Sequence, residues 1–324
     1  MARLNHGTLL ENLVVLEATR VIASEATTLE FAHAFSMPPL TEGWHKTPDE
    51  PRNNPRFNLA RMTELLAGTI AAGAPTSYSS FLLKCLRNAA GLPVVPYAGQ
   101  PVHQRGACGP NGALLAALLR RSAGQSIRIW SNDLARTGRY HDATHDAASQ
   151  CSLTNDHARA LLDQPDCAST DAFCAHPFPQ SVTALREWSR PCDVRIGFLD
   201  PDAYVGMGRL EPGKVDSTGH AAWLNTLRGD GSFAVGIMFF ASQHAPGRPA
   251  LVARFHADAV AEFPRSIVFR HGIYMVGVKL PDQDSNRVQR VVTAVREAWA
   301  EWSSLVGKDR DGLSVDVDGQ YGVD

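Results

Sequence analysis

The hydrophobic pattern is organised around Val194–Gly208, VRIGFLDPDAYVGMG. Val194, Ile196, Phe198 and Leu199 form a short apolar run without helical spacing, and Asp200-Pro201 ends it, which predicts a buried parallel strand running into a loop. Leu9–Ala23 has apolar residues at helical spacing, with Thr8 as a cap, and reads as an amphipathic helix. Thr27–Phe31 is β-prone and leads into Ala32–Pro39, read as a loop because of its prolines. Ser126–Trp130 alternates as a strand and ends in Ser131-Asn132-Asp133, Thr170–Phe173 reads as a third strand end, and Val182–Trp188 as the helix returning to the central strand. Gly231–Ala241 reads as a buried strand and Ala250–Phe263 as a helix. Ser266–Arg270 and Ile273–Leu280 read as a hairpin through His271-Gly272, and Asn286–Leu305 as a closing amphipathic helix.

This alternation predicts an α/β chain with a Rossmann-like, methyltransferase-type sheet of about seven strands, the last antiparallel. Leu40–Ala107, rich in Pro, Asn and charge at its start and with helical stretches at Leu59–Ala72 and Ser79–Ala89, reads as a mostly helical insertion. Residues 1–39 and 108–324 are then one Rossmann-like domain and residues 40–107 an inserted subdomain.

Composition narrows the class. The chain has 324 residues, 44% hydrophobic and 20% charged, with net charge −2, which suits a globular protein with a sizeable core. No apolar run reaches ~18 residues and no charged-then-apolar leader is visible, so a cytoplasmic protein without membrane contact is expected. Six scattered cysteines without a CxxC pair suit reduced thiols better than a zinc site or disulfide framework. Near-neutral charge excludes a uniformly basic nucleic-acid binder but leaves room for a local basic face. His141 and His145, with acids beside them, have a helical i, i+4 spacing but no third ligand at a telling distance, so no metal site is expected.

The candidate chemistry sits at predicted strand ends, where open α/β sheets bind ligands. A carboxylate, a rigid proline and an aromatic together suit chemistry on a flat base, which makes Asp200 and Tyr204 the candidate catalytic pair. His6, His33, Asn132, Asp133, Asp171, Pro201 and Asp202 are candidates for substrate or cofactor binding. So are Asn111 and Gly112, in the glycine-rich turn opening Gly106–Arg121, where exposed amides favour an anion or polar ligand. Arg52, Arg56, Arg105 and Arg209 are the candidate nucleic-acid contacts.

The order of motifs resembles the one-domain bacterial adenine-N6 methyltransferases of large-subunit ribosomal RNA, and is similar to the three-Cys-motif partner proteins. Asn5-His6-Gly7-Thr8-Leu9-Leu10 matches that family's N-terminal Asn-His motif and helix, and Phe31-Ala32-His33-Ala34 falls where it has Asp-Thr-His-Ala-Gly-Ala-Gly. Pro110–Leu115 falls on its Pro-Gly-Ser-Pro-Leu-Ile turn, Asn132-Asp133 on its ribose-binding acid, and Asp200-Pro201-Asp202-Ala203-Tyr204 on its Asp-Pro-Pro-Tyr. The resemblance implies S-adenosylmethionine as methyl donor, with Asp200 and the Pro201 carbonyl binding an adenine amino group and Tyr204 stacking on it.

The departures point elsewhere. Phe35, Ser36 and Met37 stand where the family's glycines let backbone approach the cofactor, Glu11 and Asn12 replace a lysine and a histidine, and Phe31 replaces a strand-end acid. Three readings follow. The first is a cofactor-free enzyme acting on a flipped nucleotide, a nucleic-acid glycosylase-like hydrolase in which Asp200 orients water or stabilises an oxocarbenium-like sugar. The second is an S-adenosylmethionine-dependent adenine-N6 methyltransferase of RNA or DNA, and the third a non-catalytic nucleic-acid-binding protein. The first needs only groups that are present, so no cofactor is favoured.

Overall fold

The computed structural model describes residues 6–34, 42–44, 105–107, 125–132, 171–174, 176–201, 203–205, 214–229, 231–242, 247–258, 260–281, 284–302 and 312–321. In chain order the elements are α1 (His6–Ile22), β1 (Thr28–Ala34), β2 (Glu42–Trp44), β3 (Arg105–Ala107), β4 (Ser126–Asn132), β5 (Asp171–Cys174), α2 (Phe178–Trp188), β6 (Val194–Leu199), β7 (Ala203–Tyr204) and β8 (Lys214–Val215). Then follow α3 (Ser217–Leu227), β9 (Phe233–Ala241), α4 (Gly247–Ala257), β10 (Arg265–His271), β11 (Tyr274–Leu280), α5 (Ser285–Trp302), β12 (Ser314–Val317) and β13 (Gln320–Tyr321).

The main sheet runs β5-β4-β1-β6-β9-β11-β10-β12-β13. Its first five strands are parallel, and β11 lies antiparallel between β9 and β10. Numbered among themselves, the seven strands from β5 to β10 stand in the order 3-2-1-4-5-7-6, a methyltransferase-like Rossmann sheet. Two strands are added outside it. Asp318 (φ 52°) and Gly319 (φ 79°) make the two-residue turn that folds β13 onto β12, and β12 pairs with β10, so the β10–β11 hairpin does not end the sheet as the sequence suggested.

The two faces carry separate cores. Leu10, Leu13 and Val14 of α1 pack with Val288, Val291 and Val295 of α5 against Leu29, Phe31, Ile196 and Val235 of the sheet. On the other face Leu185 of α2, Trp223 and Leu227 of α3 and Phe255 of α4 cover Ala32, Trp130, Leu199 and Met238. Three strand glycines admit these helices: a Cβ at Gly197 would lie 2.4 Å from Leu227, at Gly236 2.3 Å from Leu224, and at Gly277 2.2 Å from Phe255. Gly277→Ala is therefore expected to cost about 1–3 kcal/mol by overpacking, read as a lower urea midpoint with an unchanged slope; an unchanged midpoint would mean that Phe255 yields freely.

The amino edge of the sheet is tied by charge. Asp193 accepts from Thr27 Oγ1 at 2.7 Å and from the amides of Thr27 and Thr28 at 2.8 and 2.9 Å, which keeps its carboxyl far below the usual range and joins the starts of β1 and β6. One level in, Glu30 on β1, Arg195 on β6 and Arg128 on β4 share one register row. Arg195 donates to Glu30 at 2.8 Å, to the Leu227 carbonyl at 2.9 Å and to the Arg190 carbonyl at 2.7 Å. Arg128 pairs with the other Glu30 oxygen.

Several boundaries differ from the sequence reading. β1 continues through Ala32, His33 and Ala34, because those residues complete a parallel ladder with β4 and β6. Gly106 and Ala107 belong to β3, paired antiparallel with β2, rather than to a glycine-rich turn; this ribbon joins the two ends of the proposed insertion. The helices expected within residues 40–124 lie outside the described residues, as do His141 and His145. Among the described residues no helix is long and apolar enough to cross a membrane, and no group of three or more His, Cys, Asp or Glu is placed to hold a metal.

Candidate functional site

Strand order reverses between β1 and β6, one leading outward to β4 and β5 and the other to β9, and in open α/β sheets the crevice at this switch lies at the carboxyl ends. Ala34 closes β1, Leu199 closes β6, and the two are register partners. Asp200 follows immediately, and its amide donates to the Ala34 carbonyl at 3.3 Å across the switch. Its side chain is partly exposed and has interactions of its own, and Pro201 behind it is buried. The central strand thus ends in an acidic residue at the carboxyl edge beside the switch, and the proline limits the backbone freedom of the turn carrying it.

Tyr204 does not present a stacking face there. The chain after Asp200 forms β7, which pairs in parallel with β8, and this ribbon turns the Tyr204 ring into the core, where it is 5% exposed. The ring meets His220 edge-on at 5.9 Å and Phe240 at 5.7 Å, and the Arg254 guanidinium lies 5.6 Å from its centroid. Its buried hydroxyl has no hydrogen-bond partner among the described residues. The residue expected as a platform for a flipped base is instead a member of the core.

His33 and Asn132 also change roles. His33 lies within β1, 4.9 Å from Phe198 and 5% exposed, and burial lowers its pKa from 6.5 to about 3, so the ring is neutral. Asn132, the last residue of β4, is 1% exposed. Its amide donates to the His176 carbonyl at 3.1 Å and accepts from the His176 N–H at 3.0 Å. That two-point clamp ties the end of β4 to the β5–α2 connection. Asp171 opens β5 opposite Ile129, three register steps below the Asn132–Cys174 level, so it is not at the carboxyl edge. His6 begins α1 and Arg105 begins β3, and nothing is described of their side chains. Asn111, Gly112, Asp133, Asp202, Arg52, Arg56 and Arg209 lie outside the described residues.

Sequence reasoning missed α3 and what it brings. Asp216 caps the helix by accepting from the Gly219 amide at 2.8 Å, a signal readable in Asp-Ser-Thr-Gly followed by Trp223, Leu224 and Leu227. The helix places His220 against Tyr204, with His220 Nδ1 3.1 Å from Asp258 Oδ2 just beyond α4. Burial lowers the His220 pKa to about 3, with Lys279 adding to the effect. Burial raises that of Asp258 to about 7, against the opposing pull of Lys279.

Two described residues depart from the pattern by which the resembled family holds S-adenosylmethionine. Asn132, one of the pair at the ribose-binding acid's position, is hydrogen-bonded to the His176 backbone, and Phe31, standing where the resembled family has an acid, is a core residue 1% exposed.

No protein-family model matches the chain, and no curated protein matches it. Among solved structures, the Legionella pneumophila protein LPL1258, from the family DUF519, is similar with a TM-score of 0.47 at 10% identity, over 97% of both chains. Human methyltransferase-like protein 13, solved in complex with SAH, is similar with a TM-score of 0.34 at 9% identity, over 90% of both chains.

Proposed function

We propose that the chain is an enzyme acting on a nucleobase of DNA or RNA at the carboxyl edge of its sheet, with Asp200 as the catalytic residue and hydrolysis of the base–sugar bond as the reaction. The observation that carries this reading is the position of Asp200 at the β1–β6 switch, tied to Ala34 and backed by a buried proline. In this reaction the bond from the sugar carbon to the base breaks, water supplies the new C–O bond, and a proton of that water ends on the departing base. Asp200 aligns the water or faces the positive charge that develops on the sugar ring. The nucleotide must leave its stack to reach a strand-end carboxylate, which base flipping provides. Tyr204 supports the turn from below and is not required as a stacking partner.

The strand order 3-2-1-4-5-7-6 favours a second reading, adenine-N6 methyl transfer in the manner of the ribosomal RNA family resembled by the motifs. One experiment separates the two. Wild-type and Asp200→Asn proteins are incubated with DNA and RNA carrying ordinary and modified bases, and both abasic sites and methyl groups from labelled donor are counted. The expected result is abasic sites from wild type only, with the variant folded and still binding. Labelled product would establish the second reading, and neither product would leave a binding protein. S-adenosylmethionine is expected to give no thermal shift, whereas binding at ~100 times Kd would add about 2.7 kcal/mol of stability.

A further inference from the structure

Against the Tyr204 ring, four residues after Asp200, lies a pair of ionisable groups whose chemistry the reaction above does not use. His220 is 1% exposed and Asp258 9% exposed, and they meet through a single contact of 3.1 Å between Nδ1 and Oδ2. The His220 ring is fixed by Phe255 stacked on it at 5.3 Å and by Tyr204 set edge-on at 5.9 Å. Lys279 of β11 is wholly buried beside them, donates to the His256 carbonyl at 3.1 Å, and holds its ammonium 4.9 Å from the Phe255 ring. Further titratable groups of this layer among the described residues are Arg254, over Tyr204, His256, which faces Asp316 of β12 at 3.1 Å, and Asp318, whose charge acts on Lys279 and His256. Thus the only histidine in contact with the Tyr204 ring among the described residues is bonded, through Nδ1, to a buried carboxyl group.

We propose that His220 and Asp258 act as one proton-holding pair for this site, releasing and recovering a proton at His220 Nε2 while the negative charge comes to rest on Asp258. With the pair fully protonated, the Asp258 hydroxyl donates to Nδ1 and the ring carries its hydrogen on Nε2. When the pair loses a proton, the hydrogen shared with Asp258 settles on Nδ1, the carboxylate accepts it, and the Nε2 hydrogen departs. Two neutral groups become one anion and one neutral ring, one proton leaves, and the imidazole is never cationic. Burial supports this order of events. It disfavours the charged ring far below neutrality, while the Asp258 carboxyl ionises at about 7, Lys279 offsetting part of the desolvation. A buried imidazole that would be inert alone thereby acquires a working range near neutral pH through its partner. Its use in turnover rests on the proposed function; the existence of the pair does not.

The test is nuclear magnetic resonance of the full chain labelled with ¹⁵N-histidine, titrated from about pH 5.5 to about pH 8.5, with His220 assigned from a His220→Gln variant. The expected result is a neutral ring throughout, passing from the Nε2–H to the Nδ1–H tautomer with a midpoint at about 7. In Asp258→Asn the partner no longer ionises, so whichever tautomer the amide's orientation selects should persist unchanged across the range. A single tautomer in wild type, or an imidazolium signal within that range, would overturn the proposal, and the wild-type titration decides this without any variant. Turnover is read separately. Abasic-site formation that depends on Asp200 alongside an unchanging His220 tautomer would retain the proposed function and reject the pair. A tautomer exchange without product would do the reverse. If both hold, the rate should show a limb near neutrality that Asp258→Asn abolishes, an effect that loss of packing alone does not produce.

Discussion

Glu30→Gln is expected to lower the unfolding free energy by about 3–5 kcal/mol, a large part of the ~5–15 kcal/mol available to a domain. The substitution keeps the shape of the side chain and removes its charge. It leaves Arg195, 0% exposed, as a buried guanidinium that keeps its bonds to the Leu227 and Arg190 carbonyls but has lost the Glu30 carboxylate, and leaves Arg128 without the same anion. Distance does not set this magnitude. Glu17 and Arg20 on α1 are 2.6 Å apart, closer than the 2.7 Å between Glu30 and Arg195, yet the Arg20 side chain is half exposed and Arg20→Ala should cost at most ~1 kcal/mol. Urea unfolding of both variants, with Glu30→Leu/Arg195→Met, checks the argument. The double variant should recover part of the Glu30→Gln loss, because the fully buried guanidinium goes with its carboxylate and only the partly exposed Arg128 is left without an anion, although several backbone groups still lose partners. Equal, small losses for Glu30→Gln and Arg20→Ala would show that the buried triad contributes little.

His33→Leu is expected to stabilise the protein, increasingly so as the solution is acidified. His33 places a ring nitrogen in the core without a partner, and its pKa falls from 6.5 to about 3 through burial. A depressed pKa means that the unfolded chain takes up a proton the folded chain refuses. The stability present above pH 6.5 is therefore lost progressively as pH falls towards 3. Near pH 4 the difference between variant and wild type should approach about 3 kcal/mol, and above pH 7 only the smaller gain from removing an unpaired polar group should remain. His220 adds a loss of the same sign, with its pKa also at about 3, while Asp258, raised to about 7, acts oppositely and favours folding at low pH. The variant isolates the His33 contribution from this opposed pair. Urea midpoints at several pH values decide the matter; a stability difference that does not vary with pH would mean that His33 is charged or hydrated in the folded chain. If the same substitution abolishes ligand binding while stabilising the fold, His33 is a site residue kept at the expense of stability.

The apolar pattern by itself determined the central strand Val194–Leu199, the Asp-Pro exit, the β10–β11 hairpin and the alternation that makes an α/β sheet, because burial on both faces demands continuous apolar strands and a turn demands its own residue types. Two local signals were also present and passed over: the Asp216 cap that starts α3 and the Asp318-Gly319 turn that adds β12 and β13 to the edge. Only the tertiary structure decided the fate of the polar residues. Nothing local distinguishes an Asn that binds ligand from one clamped on the His176 backbone 44 residues away, or a Tyr that faces a crevice from one turned inward by a ribbon whose second strand lies ten residues on. The His220–Asp258 contact spans 38 residues and owes its shifted ionisation to burial by Phe255, Tyr204 and Lys279, which arrive on three further elements. Hydrophobic periodicity is a property of neighbours along the chain, whereas the protonation and partner of a polar group are properties of what packing brings around it.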